Sequence, residues 1–377
     1  MNIIVTTHDS IHPIKGGGAL RTLKTAEEFR RRGHNVIIIA PTDGAAEVNG
    51  IKIEWLRGPS KQRSQILSSI KFNVRLLIKY LKFIRWADLI FVHNTIAAAV
   101  MLFLKPVFRC RFALDITDIH AEYLSIGRRT IMETLATPLL LFIEYRIIRI
   151  AESITAASLA MKRVLVEHGV RPDRIEVVYD GAEIDRLSAE KSDDFYFNLI
   201  HLGLIDKQHG VDVLIKALPE VLKEFPLVKC FIVGDGRELT KIKSLALELG
   251  VFDNCVFTGQ LPCQEARAYL QKANIGIIPR RDNLPNRIVT TLKLLEYWAS
   301  GTGVISSRLE AITEVGMEGL NITYFEPGSP SALALQIKRL LSAPEKLDLL
   351  RANGIKAAHH YCWDLLAPQI ADKAVEL

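Results

Sequence analysis

The chain contains no pattern for disulfides, secretion or a membrane span. Its five cysteines in 377 residues form no C-x-x-C pair, which is typical of reduced thiols rather than of a disulfide scaffold or a zinc site. The longest apolar runs, residues 89–104 and 135–148, are interrupted by polar side chains and are shorter than the ~20 residues that cross a bilayer. The first residues lack the basic and apolar regions of a signal peptide. We therefore expect a protein of the cytoplasm with no transmembrane helix.

The composition is that of an ordinary folded protein. Hydrophobic residues make up 49% and charged residues 24% of the chain, and the length is enough for two or three domains. Short runs rich in Val and Ile alternate with helix-length segments in both halves, a pattern typical of parallel sheets covered by helices. The predicted strands are 3–7, 35–40, 51–55, 88–92, 112–116, 153–156 and 175–178 in the first half, and 198–202, 228–233, 255–257, 275–278, 303–306 and 322–325 in the second.

These strands predict an α/β protein with two Rossmann-like, doubly wound parallel-sheet domains facing across a cleft. The polar segment 181–194 lacks hydrophobic periodicity and is the expected join between them. We therefore assign residues 1–190 to the first domain and residues 191–360 to the second. The last segment, 361–377, is a helical candidate that can pack on either domain, and we assign it to the first.

Positive charge is concentrated in the first half. Residues 51–111 contain twelve Lys or Arg and only two Asp or Glu. From Lys71 the sequence KFNVRLLIKYLKFIRW places basic residues at helical spacing with apolar residues between them, which predicts a basic amphipathic helix. Such helices attract anionic membranes, so we expect peripheral contact of residues 61–86 with an anionic membrane. A solvated basic face on a core helix is the alternative, and the absence of a nucleic-acid module argues against a nucleic-acid partner.

The segment 284–307, LPNRIVTTLKLLEYWASGTGVISS, has the pattern of a ligand-binding helix. Lys293 and Glu296 are three residues apart and share one face of the predicted helix. Thr290 or Thr291 can cap its start, where free backbone N–H groups attract phosphate. We expect about three helical turns followed by a strand of a parallel sheet, a setting in which ligands bind at loop ends. A surface ion pair on an ordinary helix is the alternative interpretation.

Two glycine loops follow predicted strands. Residues 15–18, KGGG, precede a helix, and their glycines allow backbone N–H groups to approach a phosphate or a sugar. A purely structural turn is the alternative. Residues 233–236, VGDG, end a strand of the second half, but Leu239 stands where a G-x-G-x-x-G dinucleotide fingerprint has its third glycine. A nicotinamide enzyme is therefore poorly supported.

Residues 115–120, DITDIH, place two carboxylates and an imidazole after another strand of the first half. Such side chains can act as acid or base, or can bind sugar hydroxyls. Asp118 as a helix cap beside a surface His120 is the competing interpretation.

The order of these motifs resembles that of a family 4 glycosyltransferase (group 1 type) of the GT-B fold. The likeness covers nearly the whole chain and includes the glycine loop, a GHxV strand entry, a GDG strand end and a KxxEYxAxG donor segment. Single motifs are weak evidence, whereas their order across two domains is specific. The matching segments are 14–23, 32–36, 158–185, 202–204, 209–212, 231–236 and 293–306.

The resemblance implies transfer of a sugar from a UDP- or GDP-linked donor to a lipid-linked, polysaccharide or other glycoconjugate acceptor. The family usually retains the anomeric configuration and needs no metal, and no other cofactor is expected. The second domain would hold the donor and the first the acceptor. We expect the donor to be bound by Gly17, Gly18, Lys207, His209, Gly234, Thr290, Lys293 and Glu296. We expect the reacting sugar to be approached by Asp118, Asn286 and Arg287.

Within this set, Lys293 and the helix start near Thr290 are assigned to the diphosphate. Glu296 matches the second glutamate of the family's paired motif, which holds the nucleotide ribose. Asp118 lies in the loop that matches the family's His-Asp position and would face the donor sugar. Gly17 and Gly18 would let the first domain approach the phosphates or the acceptor.

The sequence departs from the family's pattern at the donor sugar. Ile288 stands eight residues before Glu296, where the family often has its first glutamate. We expect Asn286, Arg287 or nearby backbone groups to replace the missing carboxylate.

The sequence departs again at the diphosphate. Leu204 and His209 stand where an arginine and a lysine are usual. Lys207, Arg287 and Lys293 are the expected replacements.

Two other functions remain open from the sequence. A nucleotide-sugar 2-epimerase has the same fold but would act without an acceptor. A non-catalytic nucleotide-sugar-binding partner of another transferase is suggested by Leu204, His209 and Ile288.

Overall fold

The computed structural model describes residues 1–14, 16–58, 65–123, 131–184 and 197–376. The chain divides into two compact units, Met1–Asp180 with Trp363–Leu377, and Gly181–Cys362. The first unit thus ends at Asp180 rather than at residue 190, and residues 185–196 of the expected join lie outside the described part. Among the described helices, none is long and apolar enough to cross a membrane.

The strands, in chain order, are β1 (Asn2–Thr6), β2 (Asn35–Ala40), β3 (Glu47–Val48), β4 (Ile51–Trp55), β5 (Leu89–His93), β6 (Arg111–Ile116), β7 (Ser153–Ala156), β8 (Ile175–Val177), β9 (Asn198–Leu202), β10 (Lys229–Val233), β11 (Cys255–Gly259), β12 (Ile275–Ile278), β13 (Gly303–Ser307) and β14 (Thr323–Phe325). The helices are α1 (Gly17–Arg31), α2 (Gln65–Phe83), α3 (Thr95–Ala98), α4 (Met101–Leu104), α5 (His120–Tyr123), α6 (Ile131–Ile150), α7 (Leu159–Glu167), α8 (Val211–Glu224), α9 (Leu239–Glu248), α10 (Cys263–Lys272), α11 (Leu284–Ile288), α12 (Leu292–Ala299), α13 (Glu310–Thr313), α14 (Pro330–Leu341), α15 (Pro344–His359) and α16 (Trp363–Val375).

The first unit is built on an eight-stranded sheet in the order β3-β4-β2-β1-β5-β6-β7-β8. Its strand pairs are parallel except for β3 with β4. The central strands, such as NIIVT in β1 and LIFVH in β5, carry apolar side chains on both faces, because helices cover both sides of a parallel sheet. The two residues of β3 were not predicted, since so short a strand produces no hydrophobic alternation.

The C-terminal helix α16 belongs to the first unit. It packs against α1 and β7. Arg32 donates from Nη1 to Asp372 over 2.5 Å, and Ser153 donates from Oγ to the carbonyl of Lys373 over 2.6 Å. From the sequence alone this helix could pack on either domain, because an apolar stripe does not specify the surface against which it packs.

The second unit is built on a six-stranded parallel sheet in the order β11-β10-β9-β12-β13-β14. Its core is a cluster of side chains from the central strands and from α8 and α14. The parallel pairing follows from the helix between each strand and the next, which carries the chain back to the same edge of the sheet.

Both sheets reverse their strand order at the first strand of the unit. In the first sheet the reversal lies between β1 and β5, and in the second it lies between β9 and β12. Ligands of doubly wound sheets bind outside the carboxyl ends of the two strands at such a switch point. Each unit therefore has one position at which the topology favours a ligand.

The predicted α/β class with two doubly wound sheets is confirmed, and the predicted strands agree with the structure to within two residues at each end. The helix predicted after Thr290 or Thr291 is α12, but it has 8 residues, about two turns rather than the expected three. An additional short helix, α11, precedes it in the segment that was expected to be a loop. Asn283 caps α11 by accepting from the N–H of Asn286, which starts the extra helix.

Candidate functional site

Lys293 lies at the switch point of the second unit, against Gly203. Gly203 follows β9 directly and has a φ of +112°; a Cβ built on it would lie 2.8 Å from Cε and 3.3 Å from Nζ of Lys293. Both the backbone conformation and the lysine therefore require glycine at this position. Lys293, which the sequence analysis proposed as a donor-binding residue, thus packs against Gly203, which that analysis did not propose.

Lys293 and Glu296 are partly buried on one face of α12, but they form no ion pair with each other among the described residues. Burial, and next the positive charge of Arg280, lower the pKa of the Lys293 ammonium to about 7. Burial likewise raises the pKa of the Glu296 carboxyl to about 7. Both charges are poorly compensated in the site itself, which is the condition under which a charged ligand is attracted.

Arg280 was missed by the sequence analysis. It follows β12 at the switch point, donates from Nη1 to the carbonyl of Val289 over 3.3 Å, and is close enough to Lys293 and His209 to lower the pKa of each. The sequence contained enough information to find it, because a basic residue two positions after a buried strand lies where ligands of such sheets bind.

His209 lies beside this basic group and is nearly buried. Its Nδ1 is 2.5 Å from Oδ1 of Asp206. Burial, and next the charge of Lys293, lower the pKa of His209 to about 4, so the ring is neutral at neutral pH. Lys207, which precedes it in the short 3-10 helix Lys207–His209, is exposed. The structure thus brings His209 and Lys293 together and leaves Lys207 in solvent.

Asn286 lies in the interior, where its amide joins two loops. Nδ2 donates to the carbonyl of Gln208 over 3.0 Å and to that of Arg281 over 2.8 Å, and the side chain is 1% exposed. Its amide hydrogens are therefore used to hold the loop after β9 against the loop after β12. The prediction that Asn286 faces the donor sugar stays a prediction, and its observed contacts are those of a positioning residue.

Arg287 is exposed and forms a two-bond ion pair with Asp282, at 2.5 and 2.8 Å. Ile288, in place of the family's first glutamate, is 1% exposed and packs in the interior. Arg287 is exposed and so is not part of the buried basic group, and its expected approach to the reacting sugar stays a prediction.

Two buried hydroxyls remain without a hydrogen-bond partner among the described residues near the ends of this loop region. Thr290 is 5% exposed and Ser307, the last residue of β13, is fully buried, and the Oγ atom of each lacks a partner there. Thr291 occupies the N-cap position of α12, but its side chain makes no capping bond. A buried hydroxyl normally finds a partner, so Thr290 fits the predicted contact with a ligand.

Gly234 and Gly236 support the loop after β9. A Cβ on Gly234 would lie 1.9 Å from the carbonyl oxygen of Gly203, and one on Gly236 would lie 2.1 Å from that of Ile205. Both glycines are therefore required by backbone packing of the protein itself. The GDG motif therefore positions Gly203, and this packing role explains its glycines without a bound dinucleotide.

Gly18 lies at the switch point of the first unit. A Cβ on it would lie 2.5 Å from Oδ2 of Asp9, which follows β1, and 2.6 Å from Nε2 of His93, which ends β5. Gly17 is the first residue of α1, and Gly16 before it has a φ of +91°. The predicted glycine loop is thus packed on two titratable side chains, and residue 15 lies outside the described part.

A buried polar network lies beneath this loop. Arg21 and Asp115 are fully buried and share three hydrogen bonds of 2.8 to 3.1 Å. His93 Nδ1 is 2.7 Å from Asp115 Oδ2, and Arg21 Nη1 is 3.3 Å from Oδ1 of Asp180. The network fixes His93 below Gly18, and the sequence analysis missed it because its members are far apart in the chain.

Asp118 and His120 lie beyond the carboxyl end of β6, next to this network. Asp118 accepts a 2.5 Å hydrogen bond from the hydroxyl of Tyr123. His120 is half-buried rather than fully exposed, with 25% of its side chain exposed. Its ring makes an edge contact with His8, and burial lowers its pKa to about 3. Glu144 accepts from the backbone N–H of His120, so Asp118 is left free of the capping role that was the competing interpretation.

The expectation of a metal-independent reaction stays a prediction. Across the described ranges, no group of three His, Cys, Asp or Glu side chains is arranged to hold a metal ion.

The chain resembles solved structures of other proteins over its whole length. Sucrose-phosphate synthase from Thermosynechococcus elongatus superimposes with a TM-score of 0.81 at 17% identity, covering 99% of this chain and 98% of that one. Anabaena HepE in complex with UDP-glucose superimposes with a TM-score of 0.80 at 19% identity, covering 100% of both chains. At these identities the likeness shows the fold alone.

Sequence comparison extends the likeness to the family. Phosphatidyl-myo-inositol mannosyltransferase of Mycobacterium tuberculosis is 26% identical over 372 residues, which are 95% of this chain and 92% of that protein. The model of Glycosyltransferase Family 4 matches residues 15–186, and that of Glycosyl transferases group 1 matches residues 196–343. Because these matches follow the two units in order, the chain belongs to the family 4 glycosyltransferases of the GT-B fold and is a glycosyltransferase enzyme.

Proposed function

We propose that this glycosyltransferase transfers a sugar from a nucleoside-diphosphate donor, held by the second unit, to an acceptor held by the first. The observation that carries the proposal is the Lys293 ammonium, which lies on Gly203 at the switch point and forms no ion pair among the described residues. An uncompensated cation at that place in a doubly wound sheet fits a diphosphate.

The chemistry of the leaving group supports these assignments. Cleavage of the bond from sugar to phosphate places negative charge on the diphosphate and positive charge on the anomeric carbon. Lys293, Arg280 and the start of α12 offset the first charge, and Glu296 accepts from the ribose hydroxyls. Asp118, at the carboxyl edge of the first sheet, is assigned to the donor sugar. The reaction retains the anomeric configuration and uses no metal.

The names of similar proteins narrow the substrates. The HepE structure holds UDP-glucose, and the mycobacterial relative is named for transfer of mannose to phosphatidyl-myo-inositol. We propose a UDP- or GDP-linked hexose as donor and a lipid-linked or glycoconjugate acceptor. The basic composition of residues 51–111 is in keeping with an acceptor at an anionic lipid surface.

A thermal-shift panel of nucleoside diphosphates and nucleotide sugars tests the donor. A ligand at 100 times its dissociation constant should raise the unfolding free energy by ~2.7 kcal/mol, and Lys293→Met should abolish the shift. Lys223→Met, at an exposed position in α8, is the matched control. No shift with any donor would contradict the proposal.

Proton NMR of the turnover mixture then separates the three activities. A transferase releases nucleoside diphosphate and gives a product of unchanged anomeric configuration. A 2-epimerase converts the nucleotide sugar itself without an acceptor. A non-catalytic partner, the alternative suggested by the buried Ile288, binds the donor and turns over neither the donor alone nor the donor with any acceptor.

A further inference from the structure

Asn94 has a backbone conformation that residues with side chains rarely adopt. It follows β5 directly, with a φ of +63° and a ψ of 159°, in a region of backbone space that is essentially confined to glycine. Asparagine tolerates the left-handed helical region, but this ψ lies outside it. Such strained residues cluster at functional sites and persist only where the surrounding structure fixes them. The contacts of Asn94 therefore have to compensate for its strain.

The side chain of Asn94 does not cap the helix that it precedes. Asn94 occupies the N-cap position of α3, where asparagine ordinarily accepts from a backbone N–H of the first turn, but it makes no such bond. Oδ1 accepts instead from the N–H of Thr117 over 2.9 Å and from the N–H of Asp118 over 3.3 Å. The amide oxygen thus holds the loop that follows β6, at the residue whose carboxylate is assigned to the donor sugar.

These two bonds fix the orientation of the Asn94 amide, because a backbone N–H group can only donate. Nδ2 then faces Nε2 of His93 over 3.1 Å and Oγ1 of Thr117 over 3.1 Å. Since Nδ2 is a donor, Nε2 of His93 accepts, and the ring carries its proton on Nδ1, which donates to Asp115. The side chain is 2% exposed, and both of its polar atoms are thus engaged within the first unit.

The contacts of Asn94 connect the buried polar network of the first unit to Asp118. His93, which Asp115 fixes from one side, accepts from Nδ2 of Asn94 on the other. Oδ1 of the same amide holds the N–H of Asp118. His93 and Asp115 are fully buried, whereas Asp118 is half-buried. The network therefore begins in the core and ends at a carboxylate that a ligand can reach.

Glu144 holds the other end of the same loop. This residue of α6 accepts from the N–H of His120 and from that of Ala121, each over 2.8 Å. The loop is therefore fixed at both ends. Asn94 bonds the N–H of Asp118 itself, whereas Glu144 bonds the residues two and three positions later. Of these two contacts, that of Asn94 acts directly on the backbone that carries the Asp118 carboxylate.

We propose that Asn94 is a positioning residue, whose amide and strained backbone set the place of the Asp118 carboxylate. The inference rests on the proposed function, in which Asp118 is assigned to the donor sugar. Misplacing a reacting group by about 1 Å can lower a rate by about a hundredfold, so fixing the backbone at Asp118 has a kinetic consequence. The hydrogen bonds of the amide also offset the strain at Asn94, which explains why the conformation persists.

Hydrogen exchange of the full chain, resolved to single amides by mass spectrometry, tests the contact without a substrate. In the wild type the N–H groups of Thr117 and Asp118 should exchange slowly although they lie in a loop, because Asn94 binds both. Asn94→Gly adopts the same backbone conformation without strain but lacks the amide, and should speed exchange at both positions by about tenfold. Unchanged exchange in this variant would overturn the proposal.

The wild-type measurement needs no variant, so the test stands even if Asn94→Gly does not fold. Exchange of Thr117 and Asp118 in the wild type as fast as that of an unstructured peptide would also overturn the proposal, because a bonded amide is protected.

Initial-rate kinetics separate positioning from structural support. Asn94→Gly should lower kcat by about tenfold to a hundredfold, while nucleotide affinity, a property of the second unit, stays unchanged. Combined with Asp118→Asn, it should lower kcat no further than Asp118→Asn alone, because it acts through Asp118. Losses that multiply in the double variant would assign Asn94 a separate role and would overturn the proposal.

Asn49 provides a matched control. It is also an asparagine of positive φ, at +50°, but it is exposed and precedes the amino end of β4, whereas Asn94 follows the carboxyl end of β5. Asn49→Gly should leave kcat and the exchange at Thr117 and Asp118 unchanged. Absence of transfer by the wild type would contradict the proposed function alone, since exchange is measured without turnover. Normal turnover by Asn94→Gly would contradict the positioning role alone.

Discussion

Arg21 and Asp115 form an ion pair that is wholly enclosed by the first unit, with Nη2 2.8 Å from Oδ1 and both side chains fully buried. Against the effect of burial, the charge of Arg21 and a hydrogen bond from His93 hold the pKa of the Asp115 carboxyl well below its usual range. The same guanidinium donates to the carbonyls of Val178 and Tyr179. The start of α1 is thereby fastened to the end of β8.

Removing Arg21 alone should lower the unfolding free energy far more than removing Arg21 and Asp115 together. Arg21→Met leaves a buried carboxylate without its cation and should lower the unfolding free energy by about 3 to 5 kcal/mol. Adding Asp115→Leu should recover part of this loss, since it removes the fully buried carboxylate, and the recovery should be incomplete because Asp180 still lacks its contact with Arg21. Urea denaturation of the two single variants and the double variant checks the coupling, and additive losses would contradict it.

Acid should weaken the same network. Because the pKa of Asp115 is lowered on folding, its contribution to stability is present above the unfolded value of about 4 and is lost as the pH falls below that value. In Asp115→Asn this part of the pH dependence should disappear. Unfolding free energies measured at several pH values below neutrality give the comparison, and an unchanged slope would exclude Asp115 as its source.

Gly210 and Gly250 provide a matched pair for the loop after β9. Both have a φ of +67°, but a Cβ on Gly210 would lie 1.8 Å from the carbonyl oxygen of Pro279, whereas nothing lies within 4 Å of one on Gly250. Gly250→Ala should cost only the ~1 to 2 kcal/mol of backbone strain. Gly210→Ala should cost ~1 to 3 kcal/mol more and weaken nucleotide binding. Equal losses of unfolding free energy would show that the two loops need not be in contact.

Lys293 should take up a proton when a nucleoside diphosphate binds. Its pKa of about 7 leaves the amine mostly neutral at about pH 8, and a neighbouring diphosphate favours the charged form. Affinity should therefore fall as the pH rises above about 7. Calorimetry at about pH 8 in buffers of different ionisation enthalpy measures the uptake, and Lys293→Arg, which is always charged, should abolish it. Uptake that persists in Lys293→Arg would assign the proton to another group.

Glu296→Ala should weaken nucleotide-sugar affinity by ~1.5 to 3 kcal/mol, the range for losing a charge-assisted hydrogen bond. The pKa of Glu296 is raised to about 7, so the effect should be largest above that pH, where the carboxylate is ionised. Glu248→Ala, at the exposed end of α9, is the control. Unchanged affinity in Glu296→Ala would remove this residue from the ribose.

Asp118→Asn should lower kcat by about a hundredfold or more, while nucleotide affinity, a property of the second unit, stays unchanged. Tyr123→Phe removes the hydroxyl that donates to Asp118 and should produce a smaller loss. Asp173→Asn, which is exposed near β8, serves as the control. Initial-rate kinetics beside direct nucleotide binding separate the two effects, and normal turnover in Asp118→Asn would exclude it from the reacting sugar.

The sequence was sufficient to predict the strands of both sheets and the order of the motifs that follow them. Buried parallel strands such as β5 and β9 are continuous apolar runs, so hydrophobicity locates them without tertiary information. It was also sufficient for Lys293 and Glu296, because three-residue spacing places both on one helix face.

The rest of the site depends on contacts between distant segments. Asn286 holds the carbonyl of Gln208, which lies 78 residues earlier, and Arg21 reaches Asp115 across 94 residues; neither partner is encoded by local spacing. The same holds for α2, where packing decides which apolar side chains the sheet covers: Phe72, Leu76 and Tyr80 are fully buried, whereas Ile70, Val74 and Ile78 are exposed.

The return of α16 to the first unit gives the chain the topology of a domain insertion. Residues Gly181–Cys362 enter between Asp180 and Trp363, and Ala182 donates its N–H to the carbonyl of Tyr361 over 2.9 Å, so the two ends of the insert lie side by side. An isolated fragment ending at Asp180 would lack the helix that covers α1 and β7. A soluble form of the first unit therefore requires a short linker from Asp180 to Trp363, with the insert excised as a single segment.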